Sequence, residues 1–421
     1  MSDLPLHLWR GNEGEVLLQL YKSAYRGLSR QTWYLSLVML INRSGTMVVP
    51  FMTIYATQKL GYSIVQAGFI MALFGMGAIV GAFIGGRLTD AIGFYKIQLI
   101  ALFGGGMMFI ILGYLQSYIM LCTGTFLLSV INESFRPANS TAIAYYSNDD
   151  NRTRSYSLNR LAINLGWAFG GTIGGFLASQ NYHLLFWVDG LTNIFAGVLL
   201  LLVLPVPKGL RSSILKNKAK AKEGSSAYRD KLYLWFILLT ILFAFSFFQI
   251  FTMLPIYLRS QLHITEQWIG ILMALNGLLI ALTEMVLIFK LENKRRALWY
   301  IKYGVVLVGL SYAIFNVTQG NFLIAFISML IVTVGEMLSM PFMNTFWISR
   351  SSNYNRGQYA ALYSIAWSIA QVAAPSLGGW IAHAYSFTTL WWVVFAVTLI
   401  TAIGYQQLDR IMCRINDRMS K

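Results

Sequence analysis

Residues 54–90 read IYATQKLGYSIVQAGFIMALFGMGAIVGAFIGGRLTD, and residues 256–292 read IYLRSQLHITEQWIGILMALNGLLIALTEMVLIFKLE. A slide of 202 positions puts Ile54-Tyr55 on Ile256-Tyr257, Leu60 on Leu262, Gly68 on Gly270, Met71-Ala72-Leu73 on Met273-Ala274-Leu275, Gly75 on Gly277 and Asp90 on Glu292. A second match, at a shift of 204, puts Arg152 on Arg356, Gly174-Gly175 on Gly378-Gly379 and Ala178 on Ala382. Apolar letters often coincide by chance. Ordered glycines closed by an acid do not, so the chain reads as two repeats of the same sense.

Composition sets the solvent for these repeats. The 421 residues are 57% hydrophobic and 11% charged, with a mean hydropathy of +0.58. A soluble domain carries about 25% charged residues, so this is an integral membrane protein. About 20 helical residues cross the hydrocarbon core. Twelve apolar runs have that length, near 33–57, 66–88, 97–116, 118–146, 160–180, 183–205, 233–258, 266–290, 298–316, 321–347, 358–384 and 387–408. They are continuous, not alternating, which favours helices over a barrel. The expected fold is an all-α membrane protein with 12 transmembrane helices in two like-oriented six-helix bundles. Its parts are an N-terminal segment 1–32, a first bundle 33–205, a linker 206–232, a second bundle 233–408 and a tail 409–421. Like-oriented repeats imply a solute site between the halves.

The net charge of +16 does not indicate nucleic-acid binding, because the basic residues are sorted. Arg43 and Arg136 lie inside predicted helices, and Lys59 and Arg259 follow odd-numbered ones. The other 28 lie in the tails, after even-numbered helices, or at adjoining helix ends. That pattern places both termini and the Lys-rich linker in the cytoplasm, with anionic membrane lipids as partners. Cys122 and Cys413 imply no disulfide framework, and the four histidines have no metal-ligand spacing. No cofactor is expected, and the expected state is a monomer. Arg26 and Arg30 interrupt any early apolar core, so no cleavable signal is read. Residues 13–25 read either as a short amphipathic surface helix or as a disordered tail.

The loop after predicted helix 2 runs Gly86-Arg87-Leu88-Thr89-Asp90-Ala91-Ile92-Gly93-Phe94-Tyr95-Lys96. With twelve helices and a basic central loop, it resembles the major facilitator superfamily (MFS). Gly86, Asp90, Gly93 and Lys96 fit the family pattern, whereas Ala91, Phe94 and Tyr95 stand where basic residues are expected. The use of such a motif is physical: glycines let helices meet, and an acid can face the positive N-terminal end of another helix; the alternative for Asp90 is a solvated loop acid. Predicted helix 5 holds Gly166, Gly170, Gly171, Gly174 and Gly175, which resembles the glycine-rich motif of drug/proton antiporters. Gly171 stands where that motif has proline, and close packing alone also accounts for the row. The stretch from Asn42 to Tyr55 resembles the first helix of bacterial multidrug and small-peptide exporters.

Ionisable residues within the bilayer are costly and mark function by default. The candidates are Arg43 in helix 1, Glu133 and Arg136 in helix 4, Glu284 in helix 8 and Glu336 in helix 10, with Asp189 nearer the end of helix 6. In the family it resembles, helices 1, 4, 7 and 10 line the cavity, and four of the five strong candidates fall on that set. Glu133 and Arg136 share a helix face. Pro137 and Pro341 follow Glu133 and Glu336 and bend their helices there. Desolvation makes a buried carboxylate easier to protonate, and a nearby arginine opposes this. A carboxylate whose arginine contact changes with conformation can therefore load and release a proton. Glu133, with Arg43 or Arg136, is the first choice and Glu336 the second. A fixed ion pair bracing the bundle is the alternative.

Candidate solute-binding residues are Asn42, Asn139, Tyr145, Asn164, Trp167, Gln249, Asn276, Asn344, Trp347 and Trp367. A pocket with both acid and arginine suits zwitterions or organic cations, and the excess of embedded acids disfavours a strongly anionic substrate. There is no Gly-x-x-x-x-Gly-Lys-Ser/Thr loop, so an ion gradient is the expected energy source. Proton-coupled export of a small-molecule substrate, such as a drug or small peptide, is the leading expectation, in the bacterial inner membrane. Proton-coupled uptake is the rival, and a membrane-embedded enzyme or a membrane sensor is remote.

Overall fold

The computed structural model describes residues 13–204, 226–318 and 320–419. Twelve helical spans are long and apolar enough to cross a membrane: Arg30–Lys59, Val65–Ile92, Phe94–Leu112, Tyr118–Tyr146, Asp149–Ala178, Tyr182–Val203, Lys231–Ser260, Gln267–Leu291, Ala297–Val317, Phe322–Arg350, Arg356–Ala384 and Phe387–Ile415. They are numbered 1 to 12 in chain order. No strand occurs among the described residues. Local chemistry starts the helices. Ser29 caps span 1 by accepting from the Thr32 amide at 3.1 Å, and Asn321 caps span 10 by accepting from Ile324 at 2.9 Å. Ser63 and Gln66 form a reciprocal capping box before span 2.

The repeat extends to irregularities. Span 1 consists of Arg30–Ser44 and Val48–Ile54, and span 7 of Lys231–Phe248 and Met253–Ser260. Pro50 and Pro255 each occupy the third position of the second piece, where the amide has no partner within its helix. Span 4 breaks at Ser134, between Tyr118–Glu133 and Phe135–Tyr146, so the bend expected beside Glu133 is a full interruption. Span 10 carries Pro341 yet remains one helix, Phe322–Arg350.

The glycine row of span 5 packs within the first half. A Cβ on Gly166 would lie 2.5 Å from the Cβ of Arg43, one on Gly170 would lie 3.2 Å from the carbonyl oxygens of Arg43, Ser44 and Thr46, and one on Gly174 would lie 3.1 Å from Phe51. Gly175 is looser, with Phe51 at 3.9 Å. In the second half Gly378 of span 11 meets Gln249 of span 7 in the same way, at 2.7 Å. Between halves, span 2 packs on span 11 and span 5 on spans 8 and 10. The pairs 2–11 and 8–5 exchange when each span is mapped six places on, as like-oriented halves require.

The end of the bundle where spans 1, 3, 5, 7, 9 and 11 begin carries most of the basic residues and is called the basic end. There the N-terminal segment forms a helix, Glu13–Tyr25, seated on span 8. Ala24 packs with Leu158 and Met285, and the Tyr21 hydroxyl donates to the Leu282 carbonyl. Arg154 of span 5 donates to the carbonyls of Ala24 and Arg26 at 3.1 and 3.0 Å and pairs with Glu292 at 2.5 Å. The helix therefore touches both halves. Of the linker, residues 206–225 lie outside the described residues.

Candidate functional site

A cavity of about 330 Å³ lies in the part of the bundle remote from the basic end. Spans 1 to 6 and span 11 wall it. Its charged lining is Arg43, Glu133, Arg136 and Asp189, and its apolar lining includes Met71, Phe74, Phe109, Trp167 and Val372. Spans 7 and 10 do not reach it, contrary to the expected set of lining helices. Spans 2 and 11 take their place because they face each other across the boundary between the halves.

The breaks in spans 1 and 4 place the charges. Asp189 on span 6 accepts from the amides of Met47 and Val48 at 3.2 and 3.0 Å. These amides open the second piece of span 1, and the bilayer offers no water for them. Asp189 is thus a helix cap across two spans, a role its sequence position did not reveal. Asn193, one turn on, accepts from Asn42 at 2.8 Å. Glu133 is buried and pairs with Arg136 Nε at 2.6 Å. Arg43 is 8% exposed and, among the described residues, forms no ion pair and no side-chain hydrogen bond. Of the two partners expected for Glu133, the structure selects Arg136.

Glu284 and Glu336 are elsewhere. Both pair with Arg160 of span 5, Glu284 at 2.8 Å and Glu336 through the other terminal nitrogen. Asn276 adds bonds to Thr333 at 2.9 Å and to Glu336 at 3.2 Å. Arg160 belongs to the first half and the acids to the second, so the cluster ties the halves together outside the cavity. Sequence reasoning missed Arg160 because it began predicted helix 5 at that residue. The helix begins at Arg152, which buries Arg160 two turns inside.

The basic end is closed. Asp90 accepts from the Gly357 and Gln358 amides at 2.6 and 3.0 Å, at the N-terminus of span 11. This is the expected meeting of an acid with a helix's positive end. Gly86 and Gly357 lie back to back, and a Cβ on either would strike the other's carbonyl oxygen. Gly93 takes φ 93° in the turn between spans 2 and 3, a conformation that favours glycine.

Of the ten expected solute-binding residues, Asn42 and Trp167 line the cavity. Asn139 instead bridges Gln98 and Asn159. Gln249 bonds backbone carbonyls of Phe245 and Ala374 in the seam of spans 7 and 11. Asn276 serves the Arg160 cluster. Asn344 accepts from the Trp347 indole, and Trp347 is fully buried core. Trp367 packs among Phe243, Phe247 and Phe248, Tyr145 lies exposed against Phe94 and Tyr146, and Asn164 is absent from the lining. The polar lining residues that were missed, Thr46, Asn132, Asn193, Ser368, Gln371 and Ser376, are small or neutral groups with no signal beyond their helix face.

Two halves of six spans, closed on each other through spans 2, 5, 8 and 11 around a charged cavity, define a secondary-transporter architecture. Residues 35–375 match the sequence model of the Major Facilitator Superfamily, and the chain belongs to that superfamily. It is 24% identical over 389 residues to a Na(+), Li(+), K(+)/H(+) antiporter of Planococcus maritimus, covering 83% of this chain and 89% of the relative. It is 21% identical over 335 residues to the quinolone resistance protein NorA of Staphylococcus aureus (strain MRSA252), covering 79% and 84%. Among solved structures, the human organic anion transporter MFSD10 (TETRAN) superposes with a TM-score of 0.74 at 14% identity, over 89% of this chain and 99% of that one. The proton:xylose symporter XylE superposes with a TM-score of 0.67 at 15% identity, over 90% and 94%. The fold is therefore shared by relatives of different substrate and direction, and the chain is a multi-pass membrane transporter.

Proposed function

We propose that the protein exports small organic molecules in exchange for protons, by alternating access, with 33–205 and 233–408 as the moving halves. The observation that carries this reading is the Glu133–Arg136 pair, set at a helix break on the wall of the inter-half cavity. In this mechanism a proton reaching Glu133 from the cavity neutralises the carboxylate and loosens its hold on Arg136. The reverse step, after the halves rock, restores the pair and releases the proton. Arg43, Asn42 and Trp167 face the solute. The sorting of basic residues puts the termini, the linker and the closed basic end in the cytoplasm. On that orientation the cavity lies in the outer half of the membrane. The names of two relatives, an antiporter and a drug-resistance protein, agree with exchange and export.

The test is transport in proteoliposomes under an imposed pH gradient, with dyes, antibiotics and dipeptides as solutes and Na+, Li+ and K+ in parallel. Accumulation against the direction of proton flow is expected, and co-movement with protons would replace export by uptake. Glu133→Gln keeps the shape and removes the titratable proton. It is expected to abolish gradient-driven accumulation while solute binding persists. Full proton-driven transport by Glu133→Gln at normal expression would move the assignment to Glu336.

A further inference from the structure

The cavity holds two acids and two arginines, and three of the four are engaged by the protein itself. Asp189 holds the Met47 and Val48 amides. Glu133 and Arg136 hold each other. Arg43 remains. It is more than nine-tenths buried, lines the cavity, and its side chain has no hydrogen bond or ion pair among the described residues. The charged groups around it are Arg136, Glu133 and Asp189, from spans 4 and 6, and neither acid lies within ion-pair distance. From span 5 no charged group faces Arg43; Gly166 packs against the Arg43 Cβ and fixes the stem.

A guanidinium presents five donors in a planar fork, and burial with none of them bonded by the protein is costly, even with two acids at longer range. A planar oxyanion meets that need with two parallel charge-assisted hydrogen bonds. We infer that the transported solute carries a carboxylate, or an oxyanion of like geometry, and that Arg43 is the group that receives it. The cavity that Arg43 lines is mostly apolar, with Met71, Phe74, Phe109, Trp167 and Val372 beside the polar Asn132, Ser368, Gln371 and Ser376, so the rest of the solute is a largely apolar or aromatic body. This revises the sequence-based expectation of zwitterions or cations. The excess of embedded acids that spoke against an anionic substrate counted Glu284 and Glu336, whereas Arg160 holds both of them outside the cavity. The inference rests on reading this cavity as the solute site, and it is independent of coupling and direction.

The test is calorimetric binding to the full-length protein in lipid nanodiscs at pH 7.5, with no gradient present. The probes are 2-naphthoate, 2-naphthamide and 2-naphthylmethylammonium, which share one body. The acid is expected to bind at least about tenfold tighter than the amide, the scale of a charge-assisted pair. Arg43→Gln is expected to erase that preference. Arg43→Lys, which keeps the charge without the fork, is expected to retain part of it. Equal or tighter binding of the amide or ammonium, no binding of the acid, or a preference unchanged in Arg43→Gln would each overturn the inference. If Arg43→Gln does not fold, the wild-type series alone decides. Loss of proton coupling in proteoliposomes with the acid preference intact would sink the antiport reading and leave the carboxylate site standing. Transport of amines but not acids would do the reverse.

Discussion

Arg160 and Arg43 are both arginines buried within membrane spans, yet their surroundings differ. Arg160 lies between two carboxylates of the opposite half, and Asn276 holds one of those in turn. Arg43 lies at the wall of a cavity and is held by none. A buried charge with fixed partners is a joint, and its loss strands those partners. A buried charge without partners is available to whatever enters. On the proposed reading, the contrast separates residues that set the conformation from residues that meet the solute, a distinction that composition does not make.

The contrast can be broken most forcefully at Arg160. Arg160→Gln leaves Glu284 and Glu336 facing each other in a dry seam, and an expected loss of about 3–5 kcal/mol follows for a buried pair made one-sided. Thermal unfolding and the yield of monodisperse protein would report it. The triple variant Arg160→Gln, Glu284→Gln, Glu336→Gln should recover most of that loss, and failure to recover would point to a role beyond charge balance. Asp189→Ala comes next. It uncaps the second piece of span 1, with an expected cost of about 0.5–2 kcal/mol, the range for lost helix caps. Hydrogen exchange across residues 46–54 should rise with it. Glu133→Gln is expected to change stability by less than about 1 kcal/mol, because its partner Arg136 is 29% exposed and can hydrate. A large melting shift in that variant would make Glu133 a joint of the same kind as Arg160.

The smallest effect concerns pH at the basic end, beyond the membrane spans. Burial pushes the Glu292 carboxyl from its ordinary 4.5 up to about 7, and Arg154 opposes this only in part. A carboxyl raised on folding contributes stability that is complete below its unfolded pKa and is lost as pH rises through the folded one. The seat of the N-terminal helix beside Arg154 should therefore loosen modestly between about pH 4.5 and 7. Amide exchange over residues 13–25, compared with that in Glu292→Gln, checks this. An identical pH profile in the variant would refute it.

The fold was legible because the membrane leaves little choice. Twenty apolar residues must be a helix, and the aligned glycines at 68 and 270, 75 and 277, and 174 and 378 revealed the duplication. The acid Asp90 was legible for the same reason, since a motif beside a helix end has few uses. The site was less so. Glu133, Arg136, Arg43, Asn42 and Trp167 were found because they are polar or aromatic on helices that reach the cavity. Asn139, Gln249 and Asn276 have the same chemistry but point into seams, and a helix sequence alone does not say which of its faces meets a neighbour. Arg160 was lost to a boundary error of two turns, which moved a buried charge to the water's edge. Arg43's lack of a bonded partner was beyond the sequence altogether, since it depends on where the acids of four other spans end up.

The N-terminal helix has a consequence for the order of assembly. Its seat is built from Leu282, Met285 and Glu292 of span 8 and from Arg154 of span 5. The ribosome makes residues 13–25 before any of the twelve spans, but the surface they rest on is not complete until nearly 270 further residues have been synthesised. A helix made ahead of every span is therefore among the last to be placed, and it must wait at the membrane surface while seven later spans are inserted ahead of its partner. Its position is a record that both halves have come together.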